Sequence, residues 1–378
     1  MFEGIINSLG MANLVLVIVG ISLLLVILLL MSYFRTLVSI SNFTYPNAKF
    51  RAHGNPFVKK EILEPLVESR NINEAISAVR EKGYDIPKES IDDINEIEGN
   101  LDKATIGSMK MAYRTSPQAT KPFVDAWLTR YDVKMVKKAV KAVTKGEKKH
   151  EIAEKLVPVK MIDEDVIDDI ISSRNMQELL TVLKETNMGK ILENREWEGN
   201  FFMMDVELDK FAYEKLRKAV SQVETEERSA FRYFFGKYSD IQNLKIIIRG
   251  IREEVDNDTL KGALLPPGRE LEEWKLENMI ESKDIEEAMV ELEGTSYEDL
   301  RKEGSQKGFF ELERSLDRSL MQITSEMSSQ YILTVGPTVK FLVSKELESR
   351  NLKVLLRGLT EGFSPEMIKD MMIMEGNT

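Results

Sequence analysis

Two stretches decide the fold: Asn243-Leu244-Lys245-Ile246-Ile247-Ile248-Arg249-Gly250 and, 108 residues later, Asn351-Leu352-Lys353-Val354-Leu355-Leu356-Arg357-Gly358. The same step backwards from Asn243 reaches Met135, which opens Met-Val-Lys-Lys-Ala-Val-Lys. A long, fixed period is typical of a fold built from repeated units. The three stretches therefore predict three copies of one unit in tandem.

Other short features recur in the same order and at nearly the same spacing. Leu-Asp followed by Lys or Arg begins at Leu101, Leu208 and Leu316. In each copy a short polar residue precedes an apolar run and is followed three positions later by Glu; the pairs are Asn71 and Glu74, Asn175 and Glu178, and Asp284 and Glu287. This is the spacing of a capping box, in which the Glu reaches back to the amide of the cap residue. Each copy is thus predicted to begin a helix at the same internal position.

The Asn243 stretch and its counterparts are also predicted to be helical, because their apolar residues recur every three to four positions. Gly146 and Gly362 would end this helix in copies one and three, while Glu254 stands there in copy two. We interpret the polar residues of this helix as scaffolding within each unit: Asp132 and Lys141, then Asp240, Asn243 and Arg249, then Glu348, Asn351 and Arg357. Copy one carries Met135 and Lys141 in place of Asn and Arg, which argues against a shared chemical role.

An all-α fold follows, because no alternation of apolar and polar residues persists in the chain. We expect three similar helical lobes in tandem over residues 47–152, 153–260 and 261–378. A transmembrane helix over 12–35 and a linker with the start of the first lobe over 36–54 would precede them. Ser364-Pro365 predicts a last helix that runs through the methionine-rich tail.

The composition restricts the chemistry of this chain. There are no cysteines, which excludes disulfides, thiolate nucleophiles and cysteine-ligated metals. The formal charge is −11, and an acidic chain is a poor partner for nucleic acid, whose phosphates need a basic face. His53 and His150 belong to no metal-binding pair, and neither a phosphate-binding loop nor a Gly-x-Ser-x-Gly elbow occurs. We therefore expect a non-catalytic protein without a metal or cofactor.

The stretch from Leu14 to Phe34 is apolar and uncharged. Its 21 residues would form a helix of about 31 Å, which matches the hydrocarbon thickness of a bilayer. A cleaved signal peptide is the weaker interpretation, since no Lys or Arg precedes the stretch and no small-residue cleavage site follows it. Arg35, Lys49 and Arg51 follow closely, so the positive-inside rule places the acidic body in the cytoplasm of a membrane-anchored protein.

The segment Tyr45-Pro46-Asn47-Ala48-Lys49-Phe50-Arg51-Ala52 resembles the opening of the C subunit of archaeal-type rotary ATP synthases, the family that includes the d subunit of vacuolar ATPases. The recurring acidic residue before Asn-Leu-Lys is similar to a motif that this family repeats three times. The resemblance extends over about residues 45–378. It implies a funnel of three helical lobes about a pseudo-threefold axis, without catalytic residues.

The resemblance also implies a function and partners. The protein would be a central-stalk rotor subunit that couples the membrane rotor ring to the shaft of the D and F subunits, below the A3B3 head. It would serve ATP synthesis driven by an ion gradient, and the sequence does not distinguish protons from sodium ions. A membrane-tethered helical scaffold or receptor is the alternative function, and an enzyme of unknown class has the least support.

The apolar N-terminal stretch departs from this family, whose members generally lack a membrane helix. We hypothesise that the helix enters the pore of the rotor ring and rotates with it. The alternatives are a helix in the bulk lipid and a mis-assigned start, with translation beginning at Met31.

Overall fold

A computed structural model describes residues 11–87, 93–193, 201–223, 227–301 and 308–375. Within these residues all regular structure is helical, apart from one isolated bridge between Lys59 and Glu375. The prediction of an all-α chain is confirmed. The α-helices, in chain order, are α1 (Met11–His53), α2 (Lys60–Ser69), α3 (Ile72–Glu81), α4 (Ile94–Thr115), α5 (Lys121–Lys145), α6 (Lys149–Lys155), α7 (Glu164–Ser172), α8 (Met176–Leu183), α9 (Gly189–Glu193), α10 (Phe201–Ser221), α11 (Arg228–Arg252), α12 (Asn257–Ala263), α13 (Glu273–Glu281), α14 (Ile285–Ala288), α15 (Phe309–Gln330), α16 (Gly336–Thr360) and α17 (Pro365–Met371).

The N-terminal helix α1 spans 43 residues, or about 64 Å. Its apolar half is exposed, and it is long and apolar enough to cross a membrane. The residues assigned to a linker and the start of the first lobe, 36–54, are helical as far as His53, and the helix ends at Gly54, whose φ is +62°. Phe43 and Phe50 are buried, so packing against the body stabilises helix where a linker was expected.

Six long helices form three hairpins: α4 with α5, α10 with α11, and α15 with α16. The hairpins also contact one another in a closed order, α5 with α10, α11 with α15, and α16 with α4. The last of these contacts joins the end of the chain to its beginning. Aromatic rings fill part of the space between α5 and α11, where the centroids of Phe123 and Phe231 lie 4.5 Å apart.

Short helices precede each hairpin, and one of them in each case directly follows a cap residue identified in the sequence. Asn71 accepts from the amide of Glu74, Asn175 from that of Glu178, and Asp284 from that of Glu287. Glu178 and Glu287 reach the amides of Arg174 and Lys283, one residue earlier than a capping box predicts. The extended backbone at Asn175 and Asp284, with φ of −154°, turns the preceding amide toward the first turn.

The sequence predicts a helix through the methionine-rich tail, but only the first part of the tail is helical. The helix α17 begins after Ser364, which caps it through the amide of Met367, and ends at Met371. Met372, Ile373 and Met374 are buried in non-helical conformation. Burial of Met372 and Met374 in the core that α2, α3 and α16 share competes with helix continuation, and the amide of Glu375 donates to the carbonyl of Val58.

The three longest hairpin helices end in a left-handed residue. Gly146 and Gly362 have φ of +66° and +71° after α5 and α16. Glu254 follows α11 with φ of +54°, a conformation that costs an L-residue with a Cβ about 1–2 kcal/mol. The second copy therefore has the same left-handed backbone conformation as the other two, although Glu stands there instead of the Gly that favours it.

We expect Glu254→Gly to stabilise the protein by up to about 1 kcal/mol, because relief of the left-handed strain exceeds the entropy cost of glycine. Thermal unfolding of the full chain in detergent would show a raised Tm. Glu253→Gly is the matched control, because Glu253 has an ordinary φ of −85° and should lower the Tm. Equal loss of stability in both variants would contradict the role of strain.

Candidate functional site: a basic cavity between the long helices

The long helices enclose a cavity of about 510 Å³, lined chiefly by α5, α11 and α16. Its basic lining residues are Arg130, Lys134, Lys137, Lys245, Arg249, Arg350 and Lys353. Its acidic lining residues are Asp209, Asp317 and Glu346. The cavity is therefore strongly positive, although the chain as a whole carries a formal charge of −11.

Three of these lysines occupy the same position in the three hairpins, at intervals of 108 residues. Each binds an aspartate of the next hairpin in the closed order. The pairs are Lys137 with Asp209 at 2.7 Å, Lys245 with Asp317 at 2.5 Å, and Lys353 with Asp102 at 2.7 Å. The third pair joins α16 to α4. These two helices are far apart in sequence, so side chains make the connection at this junction.

A second set of ion pairs lies one helical turn further along. It consists of Lys141 with Asp205 at 2.9 Å, Arg249 with Glu313 at 2.5 Å, and Arg357 with Glu98 at 2.8 Å. The interpretation of these basic residues as scaffolding within their own unit is wrong, since each one binds the neighbouring hairpin. Lys141 pairs as the two arginines do, so the exchange of Lys for Arg leaves the contact in place.

The buried carboxylate of Asp102 is shared by three lysines. The ammonium groups of Lys134, Lys138 and Lys353 lie 2.7–2.9 Å from its oxygens. Burial alone would raise the pKa of Asp102, but these ammonium groups outweigh that effect and hold it well below its usual range. Burial, together with the charge of Lys134, lowers the pKa of Lys353 to about 8. Positive charge is therefore in excess at this junction.

Asp317 shows the same excess on a smaller scale. It binds Lys245 and also Arg350, which lies on α16. Burial would raise the pKa of Asp317, but the two cations outweigh that effect and lower it. Two of the three junctions thus carry more cationic than anionic groups, and the surplus charge lines the cavity.

The acidic residues that recur in the three copies, Asp132, Asp240 and Glu348, bind backbone amides. Oδ1 of Asp132 accepts from the amides of Lys160, Met161 and Ile162 at 2.9–3.1 Å. Asp240 accepts in the same way from Arg269, Glu270 and Leu271. Burial raises the pKa of both aspartates, partly offset by these amides. Glu348 instead accepts from the amide of Phe57, at the start of the first hairpin's short helices.

The side chains of Asn243 and Asn351 each bind the backbone of the residue 22 positions further along the chain. Asn243 exchanges two hydrogen bonds with the backbone of Leu265, and Asn351 does so with Ile373. In the first copy the sulfur of Met135 lies 3.3 Å from the amide of Val157, also 22 residues on. The geometry of the contact is kept in all three copies, with a weaker acceptor in the first.

No group of three or more His, Asp or Glu side chains that could hold a metal ion occurs among the described residues. Each charged side chain that lines the cavity belongs to an ion pair, as Arg130 with Glu346 and Lys134 with Asp102 illustrate. Their arrangement can hold the helices together and present positive charge.

The family model described as "ATP synthase (C/AC39) subunit" matches residues 46–371.

The chain belongs to the ATP synthase (C/AC39) subunit family.

Its curated relatives include the C subunit of the A-type ATP synthase of Methanocaldococcus jannaschii, which is 27% identical over 90% of this chain and 88% of the relative. The corresponding protein of Pyrococcus horikoshii is 26% identical over 87% of this chain and 90% of its own length. That of Methanobrevibacter smithii is 25% identical, and its match covers 98% of both chains. The last match leaves about eight residues of this chain outside, so it includes most of the apolar stretch.

The junction residues of this C/AC39 protein were missed as a site, although the sequence contains a signal for them. Lysine recurs in all three Asn243-like stretches, and aspartate recurs in all three Leu-Asp motifs. Charged residues that persist while their neighbours change are candidates for pairing with each other. The sequence does not show that the pairs link neighbouring copies.

We expect Asp102→Asn to destabilise the protein by about 3–5 kcal/mol near neutral pH, because it leaves buried lysines without their counter-charge. The pKa of Asp102 is lowered in the folded state, so its stabilising effect is complete above the unfolded pKa of about 3.9 and is lost as the pH falls through the lower folded pKa. The difference in Tm between wild type and variant should be steady from about pH 5 to about pH 6 and shrink below about pH 4.

The exposed Asp85→Asn is the control and should leave the Tm unchanged across this range. A difference between wild type and Asp102→Asn that stays constant into strong acid would contradict the charge-based account.

Proposed function

We propose that this protein is the central-stalk rotor subunit of an archaeal-type ATP synthase. It couples the membrane rotor ring to the shaft formed by the D and F subunits, below the A3B3 head, in ATP synthesis driven by an ion gradient. The observation that carries the proposal is the closed set of ion pairs around a basic cavity, in a chain of the C/AC39 family.

The three hairpins are proposed to be three lobes about a pseudo-threefold axis. Support comes from the closed order of helix contacts and from six ion pairs that occupy equivalent places at the three junctions. A part that transmits torque needs stiffness more than chemistry. Densely packed helices with charged ties at every junction resist shear between the lobes. A non-catalytic role fits this design.

The basic cavity is proposed as the seat for the foot of the shaft. Its surplus of cations calls for a partner that carries acidic groups at its tip, because complementary charge guides docking and fixes its orientation. Lys134 and Arg350 are the suitable contacts, since Asp102 and Asp317 keep other cationic partners without them. Their charges are available to a second chain at small cost to the fold.

The helix α1 is proposed to anchor the protein in the cell membrane, with the body on the cytoplasmic side. The hydroxyl of Ser39 donates to the carboxylate of Glu227 in the turn before α11. The side-chain amide of Asn47 donates to the backbone carbonyl of Thr334 in the turn before α16. Across a cavity α1 also faces Pro117 to Ala119, before α5. The helix therefore leaves the body beside all three turns, which supports a central position and entry into the pore of the ring.

The two functional ends would lie apart along the long helices. The first residues that line the basic cavity are Arg130 in α5, Gln242 in α11 and Val343 in α16. They follow the starts of these helices by seven to fourteen residues, or about 10–20 Å. The end of the body where α5, α11 and α16 start would thus face the membrane. The cavity, which lies further along these helices, would receive the shaft.

We expect Lys134→Gln together with Arg350→Gln to weaken binding of a purified D and F complex at least about tenfold at moderate salt. The reason is loss of surplus cavity charge while Asp102 and Asp317 remain paired. Kd would be measured by calorimetry on the full chain in detergent. Lys82→Gln with Lys283→Gln removes the same charge from exposed positions outside the cavity and should leave Kd unchanged.

Copurification tests the wider proposal. A tagged chain should recover the nucleotide-binding A and B subunits together with D and F from native membranes. Recovery as a lone membrane protein would instead favour the helical scaffold or receptor.

A photoreactive residue at Leu25, on the exposed apolar half of α1, should crosslink to rotor-ring subunits. Crosslinks to the stationary a subunit, without any to the ring, would contradict a helix in the pore. Intact mass of the native protein provides the control, because a chain that begins at Met31 would lack the labelled position.

A further inference from the structure

A second cavity, of about 720 Å³, lies where α1 stops being apolar. One wall is the face of α1 from Ser32 to Phe43, and the others are Pro117 to Ala119 and Glu227. This volume falls within the range of small-molecule sites. The proposed function assigns no ligand to it.

Glu227 gives the cavity its chemical character. The residue is 4% exposed, and one carboxylate oxygen accepts from the hydroxyl of Ser39. Among the described residues, no Lys or Arg lies within ion-pair distance of it. The guanidinium of the adjacent Arg228 donates elsewhere, to the carbonyl of Val223. A buried carboxylate without a cation is costly, and a positively charged group from outside the chain would relieve that cost.

Arg35 supplies the opposite charge in the same cavity. It is the first charged residue after the apolar stretch and is exposed on α1. Ser32, Asn42 and Gln118 add hydroxyl and amide groups, while Val38 and Phe43 form apolar wall. The site thus combines one carboxylate, one guanidinium and neutral hydrogen-bonding groups, which suits a zwitterion with a phosphate and an ammonium.

The position along α1 selects the source of such a zwitterion. If Leu14 to Phe34 crosses the hydrocarbon core, Arg35 to Phe43 begins at the level of the lipid headgroups, which extend about 5–8 Å beyond it. We propose that this cavity binds the headgroup of a phospholipid with a primary amine, with its phosphate at Arg35 and its ammonium at Glu227. This inference rests on the membrane insertion of α1 under the proposed function.

A primary ammonium fits the site better than a quaternary one. Its N–H groups can donate to Glu227, whereas a trimethylated nitrogen offers charge without a donor. An acidic headgroup without an amine would place negative charge against Glu227. The site is therefore expected to favour ethanolamine over choline headgroups, and both over glycerol headgroups.

The test uses the full chain in detergent, titrated with short-chain phosphatidylethanolamine or phosphatidylcholine and analysed by native mass spectrometry. Wild type should bind the ethanolamine lipid about tenfold more tightly than the choline lipid. Glu227→Gln should abolish this preference, because glutamine can still accept from Ser39 but carries no charge. Arg35→Gln should weaken both lipids equally. The exposed Glu61→Gln should change nothing.

Equal binding of both lipids by wild type, or an unchanged preference in Glu227→Gln, would overturn the proposal. Soluble phosphoethanolamine is titrated in parallel, and binding as tight as that of the lipid would assign the site to a free metabolite instead.

Membrane fractionation of the same chain is a separate experiment that tests the anchoring. A chain that is absent from membranes contradicts the proposed anchoring, whereas a membrane-bound chain without headgroup preference contradicts the lipid site alone.

Discussion

The ion pair between Lys353 and Asp102 closes the body of this protein on itself. The other two junctions between hairpins are also joined by continuous chain, whereas α16 and α4 meet only through side chains and backbone contacts. Asp102 is fully buried, and separating α16 from α4 would leave the ammonium group of Lys353 without this counter-charge. Closure of the three hairpins, and the basic cavity inside them, depends on this junction.

The closing junction uses the same positions as the other two, with altered chemistry. Asp132 and Asp240 each hold three amides of the following segment, whereas Glu348 is one methylene longer and holds the single amide of Phe57. Asn351 donates to the carbonyl of Phe57 at 2.9 Å, whereas the second carbonyl that Asn243 reaches is that of Pro266, at 3.5 Å. The contact of Glu348 joins segments that lie 291 residues apart in sequence, and its longer side chain makes that contact without a nearby chain connection.

The sequence predicts features whose cause is local, and fails where partners are distant. Cap residues such as Asn71 act within one helical turn, so their spacing alone identifies them. Arg357, by contrast, binds Glu98, which is 259 residues away, and periodicity carries no information about which hairpin is adjacent. The helix through 36–53 likewise depends on distant partners, because burial of Phe43 and Phe50 outweighs the loss of one helical hydrogen bond at Pro46.

The continuity of α1 bears on how the two ends of the protein act together. A flexible linker between an apolar anchor and the body would absorb rotation, because a coil has little resistance to torsion. Here the apolar half continues without a break into a segment whose aromatic side chains lie in the core, and Asn47 fixes it to the turn before α16 at 2.9 Å. Helical hydrogen bonds along this segment resist twisting. Continuous helix therefore joins the apolar half of α1 to the hairpins, and this stiffness is what the proposed coupling role would require.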